Sequence, residues 1–249
     1  MNKKAFTLIE LSIVLVIIGL IIGAITAANK LVEAAALQNV ISEINDIKTA
    51  FNAFELQYQA YPGDFDKAYD YFGTSCDTVA ADCNGNGNRL ITYSGVATAN
   101  EEIRIWQHLT LAEILPGSYA GEGDINSGPD VVPFASRKKG KFFIENVRDD
   151  RSFGSVNVRY SDIVMLGLGG GEGESWWNAS FTVGEALSID SKIDDGIANA
   201  GKLYGVSGIG YTTECSAEYD VDGGADYNRS NTTSDTNYCM LEIFIKKGK

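Results

Sequence analysis

The sequence predicts an α+β fold: one long N-terminal helix, transmembrane then amphipathic, packed on an antiparallel β-sheet head with disulfided loops. Three observations predict it. From Phe6 to Tyr58 the residues read as one uninterrupted helix, apolar all round as far as Ala28 and two-faced beyond it. Several later segments have the length and alternation of β-strands. Four cysteines lie in turn-rich stretches of that second part.

The helix comes first in the chain and carries the strongest signal. Leu11 to Gly23 contains no charge and no proline. At about 1.5 Å per helical residue, the apolar run from Phe6 to Ala28 crosses a hydrocarbon core of roughly 30 Å. One carboxylate, Glu10, sits near its start. An ionisable group at that depth costs roughly 2.5–3.5 kcal/mol on insertion scales, so it requires a partner. Past Ala28, residues Leu37, Val40, Ile41, Ile44, Ile47, Phe51 and Phe54 recur at steps of three and four, with Gln38, Asn39, Glu43, Asp46 and Lys48 opposite. That is the pattern of a helix lying on a core. The turn Tyr61-Pro62-Gly63-Asp64 terminates it. The whole helix would be about 80 Å long. Residues 6–28 form its membrane or filament-core segment, 29–58 its amphipathic continuation, and 59–249 the globular head.

Lys3-Lys4-Ala5 followed by Phe6-Thr7-Leu8-Ile9-Glu10-Leu11 resembles the leader and mature start of type IV pilins and pseudopilins. The resemblance covers roughly the first 60 residues. It implies that residues 1–5 are a leader, cut between Ala5 and Phe6 by a prepilin peptidase that also methylates the new amine of Phe6. The residue before the cut is usually glycine in that family and is alanine here. The family places a glutamate where this chain has Glu10. In lipid the freed amine needs a counter-charge, and Glu10 of the same or a neighbouring subunit supplies it, which favours assembly. Many major pilins have a proline in the first half of the helix. This chain has none there, which leaves Gly19 and Gly23 as its weak points. The competing reading is a secretory signal peptide, with Lys3 and Lys4 before an apolar core and small residues at Ala27-Ala28. The apolar run is too long for that, it contains Glu10, and the helical pattern continues past Ala28.

The chain has 249 residues and a net charge of -13, and loss of Lys3 and Lys4 makes it more negative. That length buries a sizeable core in a single head. The acidic balance argues against bulk nucleic-acid binding. One histidine, His108, cannot build a multi-histidine metal site. Lying between Gln107 and Leu109, it reads as a surface or packing residue. The cysteines suit an oxidising compartment. Four allow three pairings, of which proximity favours Cys76–Cys83 and Cys215–Cys239. The latter resembles the C-terminal disulfide loop of many type IV pilins. It would close about 25 residues and stabilise by roughly 3 kcal/mol. Neither spacing suits zinc.

In the head, residues 61–98 read as loop. Asp82, Asn84 and Asn86 with Gly87 resemble the first half of a calcium loop, but Tyr93 stands where the closing glutamate belongs. Asn-Gly turns explain the same residues more simply. No other cofactor is implied. A helix is expected from about Ala99 to Leu115, with Thr98 and Glu101 as a capping box, Ile103, Trp106, Leu109 and Leu115 on one face, and Pro116-Gly117 at its end. Residues 117–133 read as an exposed loop. Lys141–Glu145, Ser155–Tyr160 and Asp162–Leu166 have strand character. The run Gly167–Gly173 lacks the context of a phosphate loop and reads as a flexible loop. Thr182 and Glu185 cap a helix that runs to about Asp194 and stops at Gly196. Asp190, Asp194 and Asp195 crowd its C-terminal end as a cation site or a solvated end, the latter being the commoner case. Lys202–Val206 and Met240–Ile245 read as strands, and the loop between Cys215 and Cys239 as polar outer surface.

The resemblance implies a structural subunit rather than an enzyme: a prepilin of a type IV pilus-like filament, in the bacterial inner membrane with its N-terminus cytoplasmic and its head periplasmic before assembly. Its partners would be other copies and other pilins, the peptidase and N-methyltransferase, and the inner-membrane assembly platform. A type II secretion pseudopilin carries the same motif. A minor pilin with an adhesin or DNA-binding head is the other alternative, using Arg137-Lys138-Lys139-Gly140-Lys141 or Trp176-Trp177 against DNA or a surface ligand. Such a basic run is more often a solvated turn, and such tryptophans are more often core. No nucleophile–base pair supports an enzyme.

Overall fold

The structure is a computed structural model and describes residues 7–91, 100–126, 128–135, 140–147, 152–153, 156–157, 163–171, 174–175, 177–210, 213–216 and 226–247. Helix α1, Leu8–Tyr58, is a single helix of 51 residues. Gln59 ends it in a left-handed conformation, its N–H donating to the Glu55 carbonyl. The buried residues of α1 are Leu37, Val40, Ile44, Ile47, Ala50, Phe51 and Phe54; six of them belong to the stripe read from the sequence, Ala50 adds to it, and Ile41 is only half-buried.

Short elements follow: α2 at Ala68–Phe72, a 3₁₀ turn at Gly73–Ser75 and α3 at Ala80–Cys83. All lie in the segment expected to be loop. They are single turns, too short to leave a periodic pattern. Helix α4 runs Glu101–Leu111. Its start differs from the expectation. Asn100 is the N-cap, accepting from the Glu102 amide, while Thr98 lies outside the described residues. Its end comes earlier too, because Glu113 turns left-handed and the amides of Ile114 and Leu115 both return to the Leu109 carbonyl.

The sheet is built from β1 (Lys141–Val147), β4 (Ile163–Gly169), β5 (Leu203–Ser207) and β6 (Cys239–Lys247). Its order is β1-β4-β6-β5, antiparallel throughout, so the C-terminal strand lies inside the sheet. A small two-stranded sheet pairs β2 (Ser152–Phe153) with β3 (Val156–Asn157); β3 falls in the stretch read as a strand over Ser155–Tyr160, and β2 precedes it. Helix α5, Val183–Ile193, starts with the expected capping box: the Glu185 amide donates to Thr182 Oγ1 at 3.2 Å and the Thr182 amide to Glu185 Oε2 at 2.9 Å. The sheet, α4 and α5 close on the buried stripe of α1, forming one core.

Two expectations are corrected here. Gly167, Leu168 and Gly169 are strand, not flexible loop: Gly167 pairs with Phe143 on one side and Glu242 on the other. A Cβ at Gly167 would meet the Phe143 ring at 1.9 Å, so the glycine makes room for an aromatic ring. Residues 117–133 are not a wholly exposed loop either, because Ile125, Val131 and Val132 are buried.

Helix α4 is buried on every side from Glu101 to Leu109. Its apolar face meets the core, and its polar face holds the 61–91 segment. The Arg104 guanidinium donates to the carbonyls of Asn84 and Ala81. Gln107 Nε2 donates to Cys76 O at 2.7 Å and Ala120 O at 2.9 Å. His108 is fully buried: Nδ1 accepts from the Gly63 amide at 3.0 Å, and Nε2 lies 2.9 Å from Cys83 O, which places the proton on Nε2. It is the packing residue of the two readings, and burial pulls its pKa down to about 4. Cys76–Cys83 and Cys215–Cys239 are the disulfides of the molecule. Asp64, 1 % exposed, holds the end of the 61–91 segment by accepting from the amides of Asn88 at 3.1 Å and Arg89 at 2.6 Å. Burial is the largest cause pushing its pKa up to about 6, with the Glu101 charge adding to it.

Two predictions follow from this packing. Gly167→Ala overpacks the Phe143 site and should cost about 1–3 kcal/mol, read as a lowered thermal midpoint. Gly19→Ala, whose methyl would meet nothing within 4 Å, should leave the midpoint unchanged. The second concerns pH. The folded pKa of Asp64 is raised, so folding favours its protonated form, and its share of stability is lost as pH rises through about 6. His108 acts in the opposite sense, its share being lost as pH falls towards 4. Comparing the wild type with Asp64→Asn isolates the first effect. The wild type should gain on the variant as pH falls from 7 to 4, and a difference independent of pH would refute it.

Candidate functional site: the uncovered half of helix α1

From Thr7 to Ala35 no residue of α1 is buried. Its most apolar 18-residue window has a mean hydropathy of 2.9, and none of that window is covered by the head. Leu8 is 87 % exposed and Leu31 72 %, with large aliphatic side chains exposed all along between them. Such a surface is stable only in lipid or against other apolar helices. The polar groups within it are satisfied inside the helix. Ser12 Oγ donates to Ile9 O at 2.9 Å and Thr26 Oγ1 to Ile22 O at 2.9 Å.

Glu10 is the one ionisable residue between Leu8 and Asn29. Its carboxylate folds back over the helix start. Oε2 accepts from the Thr7 amide at 2.8 Å and from Thr7 Oγ1 at 2.8 Å, while the Glu10 amide donates to Thr7 Oγ1 at 3.3 Å. This capping box satisfies orphan donors at the first turn and sets a negative group at the positive end of the helix dipole. The carboxylate is thereby held one residue along from Phe6. Ala5 and Phe6 themselves lie outside the described residues. The sequence reading missed Thr7, although Thr7-x-x-Glu10 has the spacing of a capping box.

The far end of the helix is clamped to the head. Glu55 accepts from Lys246 of β6 and stands 3.8 Å from Arg89, while Arg89 and Lys246 both lie over the Tyr61 ring, at 5.5 and 5.9 Å.

The other candidate residues are scattered. Asn84 Oδ1 accepts from the Tyr69 amide at 2.8 Å and Asn86 Oδ1 from the Asn88 amide at 3.0 Å, as turn residues do. Val79 to Asn84, with Asp82 among them, form the turn that receives Arg104. Arg137, Lys138, Lys139 and Trp176 lie outside the described residues. Lys141 leaves the basic cluster: it is buried in β1, its Nζ donating to Glu174 O at 2.7 Å beside the Phe134 ring. Burial lowers its pKa. Trp177 is half-buried and packs on the core. A groove of about 520 Å³ runs between α1 and the loop at Ile114–Tyr119.

Residues 1–26 match the family model described as the prokaryotic N-terminal methylation motif. The chain carries the type IV prepilin-type signature. No curated protein and no solved structure matches it. The signature marks precursors of type IV pilin-like proteins and pseudopilins, which a prepilin peptidase processes and which assemble into filaments. It points to a structural subunit rather than an enzyme, and with helix α1 it makes the N-terminus a membrane anchor. The long apolar helix, the four-stranded antiparallel sheet and the disulfides together form an α+β, pilin-like architecture.

The start of helix α1 should depend on Thr7. Thr7→Val removes the cap and should cost about 1 kcal/mol locally. In micelles, amide exchange at Leu8 to Glu10 should accelerate while the amides of α1 beyond Ile13 keep their protection.

Proposed function

We propose that this chain is a structural subunit of a type IV pilus-like filament. It enters the bacterial inner membrane with Lys3 and Lys4 cytoplasmic and the head periplasmic. A prepilin peptidase cuts between Ala5 and Phe6 and methylates the new amine. Subunits then leave the membrane through an assembly platform, with α1 helices packed together and acidic heads outside. The observation that carries this reading is one continuous helix whose first half the head leaves wholly uncovered and whose second half is the core of the head. Only other helices or lipid can cover the first half.

In this mechanism Glu10 has two tasks. It caps its own helix through Oε2, and its Oε1 takes no hydrogen bond among the described residues. That oxygen can accept from the methylated ammonium of Phe6 on the same or a neighbouring subunit. Each charge meets its partner fully only when subunits align, so the pair acts as a register device in a medium where an unpaired charge is costly. The two disulfides suit a head that folds on the oxidising side of the membrane.

Mass spectrometry and N-terminal sequencing of the native protein, from membrane and sheared-surface fractions, test the reading. The expected product starts at N-methylated Phe6 and carries both disulfides. Its presence in the sheared fraction supports a surface pilus, while confinement to the cell envelope supports a type II secretion pseudopilus. A soluble chain starting near Asn29 would overturn both. Glu10→Ala should keep insertion and cleavage but lower the filament fraction at least about tenfold, the order of one lost charge pair. Normal filament yield from that variant would remove the role given to Glu10.

A further inference from the structure

The groove beside α1 is floored by Ile47 and Ala50 of the helix and walled by Leu115, Tyr119, Phe134 and Phe142. At about 520 Å³ it has room for a large aliphatic side chain. Glu43 and Asp46 line its helix side, and Asp46 is exposed. An apolar hollow edged by carboxylates suits an aliphatic group with a cation next to it.

The uncovered half of α1 carries such a group. Leu31 is 72 % exposed. Its helix neighbours three and four positions away on either side are Ala27, Ala28, Ala34 and Ala35, all exposed, so Leu31 projects from them as a single knob. Lys30, the one cation between Thr7 and Ala35, stands next to it. Lys30 and Glu33 also place this turn beyond the apolar run that ends at Ala28, where lipid tails do not cover it. The chain's own groove is out of reach of its own Leu31. At about 1.5 Å per residue, Ile47 lies about 24 Å further along the same unbroken helix. Knob and groove therefore sit at different heights of one chain. Joined between two parallel copies they make a heterologous contact, which repeats without closing and so builds a filament.

We propose that the groove receives Leu31 of a second copy, with that copy's Lys30 set against Asp46. This contact rests on the filament assembly proposed above and gives it an axial register: copies joined in this way are offset by about 24 Å along α1. Removal of Leu31 from water supplies attraction, and the charge pair rejects other offsets.

The test uses the full-length chain in its native host. All four native cysteines are in disulfides, so introduced cysteines supply the only free thiols. Cysteines at Leu31 and Leu115 are too far apart to join within one chain, since a disulfide spans Cα atoms no more than about 7 Å apart. On oxidation, Leu31→Cys/Leu115→Cys should give a ladder of covalent multimers that reduction collapses. Leu31→Cys/Leu56→Cys, whose second position is exposed but does not line the groove, should give none. Asp46→Lys and Lys30→Asp should each lower the assembled fraction at least about tenfold, because each sets like charges together, and the double exchange should restore it. The thermal midpoint of Asp46→Lys in micelles should equal that of the wild type, Asp46 being exposed. Assembled wild-type chain without a ladder from Leu31→Cys/Leu115→Cys, or a double exchange that restores nothing, would overturn the contact and leave the filament reading standing. A wild-type chain that never assembles would overturn both.

Discussion

One helix in two surroundings governs this molecule. Over the 51 residues of α1 the hydrogen-bonded backbone never breaks, while what surrounds it changes completely near Leu37. Beyond that point the head wraps a stripe ending in Phe51 and Phe54. Before it, every large aliphatic side chain from Leu8 to Val32 stays uncovered. Each such side chain gains about 1.5–3 kcal/mol when removed from water. The monomer is therefore incomplete in water, and the missing contacts can come only from lipid or from other apolar helices.

The head answers a different demand, which is to hold long irregular segments on a small sheet. It does so by burying polar groups and satisfying them one by one. The polar face of α4, with Arg104, Gln107 and His108, serves as a rack for backbone carbonyls of the first disulfide loop. Asp64 collects the amides of Asn88 and Arg89 in the segment that follows that loop. Such arrangements specify one geometry because any slip leaves a buried donor or acceptor unmet.

Charge is placed at the two ends of α1. At its start, Glu10 caps the helix through one carboxylate oxygen. At its end, Glu55 is pinned by Lys246 and Arg89. Between them there is no proline and no break in the helix.

The sequence by itself determined whatever local periodicity and short-range chemistry carry. It specified the continuity of α1 and its end at Tyr58, most of the buried stripe from Leu37 to Phe54, the capping box at Thr182, most of the four-stranded sheet, the nearest-neighbour disulfides and the prepilin-type start. These signals lie within one helix turn, one strand or one loop. Tertiary structure alone decided which polar residues are buried. Lys141 left the basic cluster for the core, Gly167 became strand under the Phe143 ring, Asn100 rather than Thr98 capped α4, and His108 joined Gly63 to Cys83. It also set Asp190 against Tyr227. Each of these depends on a partner tens of residues away, and the free energy of burying a polar group is set by that partner rather than by its neighbours in the chain.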